Sequence, residues 1–242
     1  MIFQILQNDS LGLYQRLIML VFMVCAVLGS IAVHEVAHGY VSYMLGDPTA
    51  KRLGRLSLNP IKHLDPIGTV CLLFCGFGWA RPVPVDPRYY KEPKKCMAVT
   101  ALAGPAVNLL IGAVTTVNLS ILVWLWESGL YSVFPVIRYM SADTYFMATN
   151  AAYILLYYNL LLAVFNLLPV PPLDGSRLLL AFLPSKQYFS VMRYEKLMML
   201  VMFFLLWTGV FTGVFEVFVD NIIKLIGGTV FFGMNLIYKL FI

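Results

Sequence analysis

The chain has 242 residues, 60% of them hydrophobic and only 12% charged, and its mean hydropathy is +0.81. A soluble domain carries about 25% charged residues to cover its surface, so the composition excludes an ordinary soluble protein and indicates an integral membrane one. The net charge of +5 comes from basic residues in loops between apolar runs, a pattern that suits anionic headgroups and gives no nucleic-acid signal.

The length predicts one membrane domain over residues 1–242, with a core at about 11–180 and C-terminal helices at about 195–242, and little room for an appended soluble module. Cys25, Cys71, Cys75 and Cys96 lie in or beside apolar segments and read as small packing residues, not as a disulfide framework. Arg16 before an apolar stretch resembles the start of a signal peptide. Cleavage after LGSIA would cut into a histidine pair, however, so the segment reads as a retained helix.

Five to six apolar segments follow in chain order, giving an all-α polytopic fold. Segment A, residues 11–45, closes at LGDP, where Gly46 and Pro48 stop a helix. At 1.5 Å per residue it would extend roughly 50 Å, beyond the ~30 Å hydrocarbon core, so one end projects into water. Segment B, residues 67–79, has 13 residues, including Gly68, Gly76 and Gly78. Segments C (96–126), D (144–168), E (197–215) and F (225–242) complete the chain.

Basic residues set the topology. Lys51, Arg52, Arg55 and Lys62 lie between A and B, and Arg81, Arg88, Lys91, Lys94 and Lys95 between B and C. Only Arg138 lies between C and D, whereas Arg177, Lys186, Arg193 and Lys196 lie between D and E. Short loops rich in Lys and Arg stay cytoplasmic. If B spanned, its two basic flanks would face opposite sides. The expectation is therefore a re-entrant B lining a cavity, flanked by short β-like stretches at residues 52–58 and 80–86.

The chemistry begins at HEVAH in segment A. His34 and His38, four residues apart, share one helical face and can grip one zinc ion, while Glu35 can take a proton from metal-bound water. In hydrocarbon such a trio is costly unless it has partners. A catalytic zinc needs a third protein ligand. His63 lies in a basic loop and reads as a headgroup-level surface histidine. Asp174, in FNLLPVPPLDGSRLL at the cytoplasmic end of D, is the better candidate, its rival reading being a turn residue before Gly175. Asn108, in GPAVN, either faces the site or hydrogen-bonds between helices.

HEVAH, GWARPVPVDP (78–87), LAGPAVNLL (102–110) and NLLPVPPLDGSRLL occur in the order found in the site-2 protease family of zinc intramembrane metalloproteases, which the chain resembles. The resemblance covers about residues 31–180. It implies a three-helix catalytic core formed by A, C and D, and one zinc ion per chain held by His34, His38 and Asp174. It also implies Glu35 as general base and Asn166 holding substrate or the developing oxyanion. The interval 127–143 is too short for a PDZ-like insertion, and no nucleotide-sensing tail is expected.

The implied activity is cleavage of transmembrane substrate proteins in the bilayer. The expected location is a prokaryotic plasma membrane, with the site toward the cytoplasm. An extended substrate could pair with the edges at 52–58 or 80–86, though Pro82 and Pro84 remove donors there. A metal-binding membrane transporter or sensor would use the same His and Asp residues without needing Glu35. A catalytically dead scaffold would need none of them.

Overall fold

The computed structural model describes residues 12–75, 78–133, 137–184, 194–210 and 212–241. Among these the chain forms eight α-helices: α1 (Leu13–Met44), α2 (Thr49–Arg52), α3 (Pro66–Cys75), α4 (Pro93–Glu127), α5 (Ala142–Asn166), α6 (Asp174–Leu180), α7 (Glu195–Trp207) and α8 (Thr212–Phe241). Four are long and apolar enough to cross a membrane: α1, α4, α5 and, over Gly213–Leu236, α8. The remaining segments read from the sequence are the short helices α3 and α7. Gly76, Lys186 and Arg193 lie outside the described residues.

Two expectations change. The β-like stretches beside segment B form no strand among the described residues. The backbone pairing beside segment B is one antiparallel bridge, Leu64 to Ala80, and one bond from the Arg81 N–H to the His63 carbonyl at 2.8 Å. Pro82 and Pro84 follow at once and cannot donate to a ladder. The break between E and F also moves. Glu216, Asp220 and Lys224 lie between the segments read as E and F, but they recur every fourth residue, share one exposed stripe and leave α8 unbroken. The chain breaks earlier, at Gly209, whose φ of +71° lies in the left-handed region that ends a helix.

The residues divide into two compact units, to each of which α1, α4, α5 and α8 contribute. One comprises residues 1–27, 110–160 and 219–242. Its core holds Met19, Met23 and Ile154, packed by Leu20, Ala26, Met147 and Tyr158. Trp124 Nε1 donates to Asn235 Oδ1 at 2.9 Å, joining α4 to α8, and Trp126 stacks on Tyr145 with centroids 4.2 Å apart. The other unit comprises residues 28–109 and 161–218 and contains every site residue named above.

Candidate active site

His34 and His38 stand one turn apart on α1, both buried, with ring centroids 4.6 Å apart in an edge-to-face arrangement. Their Nδ1 atoms are both engaged on α4. His38 Nδ1 lies 2.7 Å from the Thr100 carbonyl, which can only accept, so this nitrogen carries the proton. His34 Nδ1 lies 2.8 Å from Asn108 Oδ1, while Asn108 Nδ2 donates to the Ser30 carbonyl at 3.4 Å. The amide is thereby oriented with its oxygen toward His34. Asn108 is fully buried, and of the roles left open by the sequence the structure gives it the one facing the histidines. Thr100 was not expected, because it acts through a backbone carbonyl that carries no side-chain signal.

With both Nδ1 protons committed, the neutral imidazoles present bare Nε2 lone pairs to the centre. Asp174 Oδ2 lies 3.1 Å from each Nε2. Three acceptors facing one another need a positive charge among them. Ligand atoms about 2.0 Å from a tetrahedral zinc stand about 3.3 Å apart, so two neutral imidazoles and a carboxylate at this spacing fit such an ion in donor chemistry and in separation. Among the described residues this trio is the one group of its kind close enough to hold a metal.

Two features bring the trio together. The chain after α5 contains Pro169, Pro171 and Pro172, which prevent the helix from continuing, and α6 restarts at Asp174. Lys94 Nζ, in the first turn of α4, donates to the Leu183 carbonyl just beyond α6 at 2.9 Å. On α4, Gly104 faces the imidazoles. A Cβ there would lie 2.4 Å from His38 Nε2 and 2.6 Å from His34 Nε2, so any side chain would occupy the space between these two nitrogens.

Glu35 lies outside the trio. Its Oε2 accepts the Val83 N–H at 2.8 Å. Asn166, the last residue of α5, donates from Nδ2 to the Leu162 carbonyl one turn back, at 3.0 Å. His63 is not the surface histidine expected. It is 1% exposed, and its Nε2 donates to the Ser57 carbonyl at 2.7 Å, bracing a loop away from the trio.

The profile of Peptidase family M50 matches residues 128–209, the stretch that holds Asn166 and Asp174. A Bacillus subtilis (strain 168) protein named "Putative zinc metalloprotease YwhC" is 41% identical over 172 residues, 71% of this chain and 74% of that protein. "Putative zinc metalloprotease Rip2" of Mycolicibacterium smegmatis is 28% identical over 162 residues, 64% of this chain and 54% of that protein, so the chain spans about half of the latter. No solved structure matches. With that identity to the Bacillus protein across nearly three-quarters of its length, the chain belongs to Peptidase family M50, the site-2 protease family.

Proposed function

We propose that this zinc metalloendopeptidase cleaves peptide bonds within transmembrane segments of other membrane proteins. In this reading His34, His38 and Asp174 hold one zinc ion per chain, and Glu35 is the general base. The observation that carries it is the meeting of two Nε2 lone pairs and a carboxylate oxygen, 3.1 Å from each, in a buried site formed by residues 140 positions apart. When bound there, zinc lowers the pKa of a water toward about 7 and polarises the scissile carbonyl.

The protein residues do the rest. Glu35 accepts the proton of the attacking water and passes it to the leaving amine, a role typically worth about 10²–10⁴-fold. Asn108 and the Thr100 carbonyl keep the Nδ1 protons in place and thereby fix which nitrogen of each ring faces the ion. Asn166, eight residues before Asp174, is assigned to the substrate or its oxyanion. For that role its amide must turn from the Leu162 carbonyl.

We assign the catalytic core to α1, α4 and α5 within a single membrane domain. Segment B is read as re-entrant, which the bridge between Leu64 and Ala80 supports, since the chain leaves and returns beside itself. The ten residues of α3 extend about 15 Å, half a bilayer core. With B re-entrant, each Lys/Arg-rich loop falls on the cytoplasmic side and the site lies toward the cytoplasm.

Glu35→Gln tests the reading. The variant is expected to retain stoichiometric zinc while losing at least a hundredfold in cleavage of a transmembrane model peptide, and to abolish release of membrane fragments detected by proteomics. Undiminished cleavage would refute the base assignment and leave room for a metal-binding transporter or sensor.

A further inference from the structure

Residues 80–86 do more than connect α3 to α4. Pro82 and Pro84 have no N–H, so Val83 carries the one backbone donor of the Pro-Val-Pro tripeptide. That donor is spent on Glu35 Oε2 at 2.8 Å. The same peptide unit is held from its other end, because the Pro82 carbonyl accepts from Arg55 Nη2 at 3.3 Å and the Arg81 carbonyl accepts from the same nitrogen at 2.7 Å. In a trans peptide the C=O of Pro82 and the N–H of Val83 point in opposite directions, so this unit lies between the guanidinium and the carboxylate.

The stretch is pinned on both sides. Upstream, the Arg81 N–H donates to the His63 carbonyl at 2.8 Å. Downstream, the Asp86 N–H donates at 2.8 Å to Asp47 Oδ2, a fully buried carboxylate. The Val83 side chain is itself buried, and its Cγ1 would stand 2.8 Å from a Cβ at Gly39, the residue after His38. The donor therefore has a fixed position relative to the histidine helix, whereas a free glutamate side chain swings through three torsions.

We infer that the Pro82–Val83 peptide, clamped by Arg55, is a positioning group for Glu35. It holds one carboxylate oxygen and leaves the other to exchange protons with water and the leaving amine. This inference rests on Glu35 being the base. It also changes the role of residues 80–86: the N–H that a substrate strand would need at Val83 is already committed.

The test compares Val83→Ala, which keeps the N–H, with Val83→Pro, which removes it, in the zinc-loaded full chain acting on a transmembrane model peptide. Val83→Ala is expected to stay within about threefold of the parent in kcat. Val83→Pro is expected to lose about 10- to 100-fold in kcat with KM and zinc content unchanged. On a Glu35→Ala background the proline should add no further loss, which a merely structural defect would. If Val83→Pro does not fold, Arg55→Met, which releases the Pro82 carbonyl, should lower kcat about tenfold with zinc and KM retained. Unchanged kcat in Val83→Pro, an equal loss in Val83→Ala, or a further loss on the Glu35→Ala background overturns the positioning role. In the arm using Arg55→Met, unchanged kcat does the same. Glu35→Gln run alongside separates the two ideas: if it cleaves like the parent, the base assignment fails, whereas an inactive Glu35→Gln beside an active Val83→Pro refutes only the tether.

Discussion

At the residue scale the candidate site depends on groups outside the His34, His38 and Asp174 trio. Asn108 accepts the Nδ1 proton of His34 in a fully buried position. Substituting leucine leaves that N–H without a partner and frees the ring to rotate. Loss of a partner of this kind costs about 10–100-fold in metal affinity. Asn108→Leu is therefore expected to need that much more free zinc for half-occupancy, measured by competition with a chromophoric chelator, while retaining its helical circular dichroism. Gly104 acts by absence. Since a Cβ would approach both Nε2 atoms within 2.6 Å, Gly104→Ala must push α4 from α1 or turn the imidazoles. The expected result is zinc content below half an equivalent, from direct metal analysis, and cleavage at least tenfold down. Full zinc occupancy in Gly104→Ala would mean that α4 yields at no cost. HEVAH pointed to its two histidines through their spacing within an apolar segment, and Gly104 read as a residue for close packing of segment C against A; that the approach is to the two imidazoles shows only once the helices meet.

At the element scale, the loop after α1 is organised by one carboxylate. Asp47 is fully buried and accepts from Ser42 Oγ at 2.9 Å, from the Thr49 N–H at 2.9 Å, from the Thr49 hydroxyl and from the Asp86 N–H at 2.8 Å. Tyr90 continues the network, reaching Ser42 Oγ at 2.7 Å and Thr100 Oγ1 at 3.3 Å. The aspartate thus ties the end of α1 to residues 80–86 and to the part of α4 that supports His38. Burial alone would raise its carboxyl, but the bonds from Thr49, Asp86 and Ser42 hold it below the ordinary range. A depressed folded-state pKa gives stability that is present above the unfolded value and lost as pH falls through the folded one. Asp47→Ala should therefore destabilise the protein by about 1–3 kcal/mol at pH 7. The gap to the parent should narrow below about pH 4, as read from unfolding midpoints in micelles at both pH values. A gap that persists or widens in acid would show that the carboxylate charge contributes nothing. The sequence pointed to LGDP as a helix stop and located α1, α4 and α5 to within three residues at their described ends, because long apolar runs and prolines are local signals. It placed the break before α8 too late. The glycine that ends α7, Gly209, lies inside the apolar run read as segment E, and its left-handed φ shows only in the structure.

At the scale of the whole molecule, the decisive quantity is the number of crossings between the histidines and Asp174. An even number brings both to one membrane face, and an odd number separates them. Segment B alone decides the parity, since α4 and α5 have 35 and 25 residues and each is long enough to cross. Composition could not fix B, because a short apolar run with glycines reads equally as a strained crossing or a dip. Charge favours the dip, because Lys51, Arg52, Arg55 and Lys62 on one side and Lys91, Lys94 and Lys95 on the other prefer the same compartment. The prediction uses single cysteines in a background lacking Cys25, Cys71, Cys75 and Cys96. Replacements at the exposed residues Arg52, Lys91 and Tyr194 should react with an impermeant maleimide only in inside-out vesicles, and a replacement at exposed Ser141 only in right-side-out ones. Labelling of Arg52 and Lys91 positions from opposite sides would make B a crossing and refute the re-entrant reading. Labelling from one shared side would leave the four residues His34, Glu35, His38 and Asp174 able to meet at a single depth, where water drawn in along the loop residues can reach them while the helices keep lipid out.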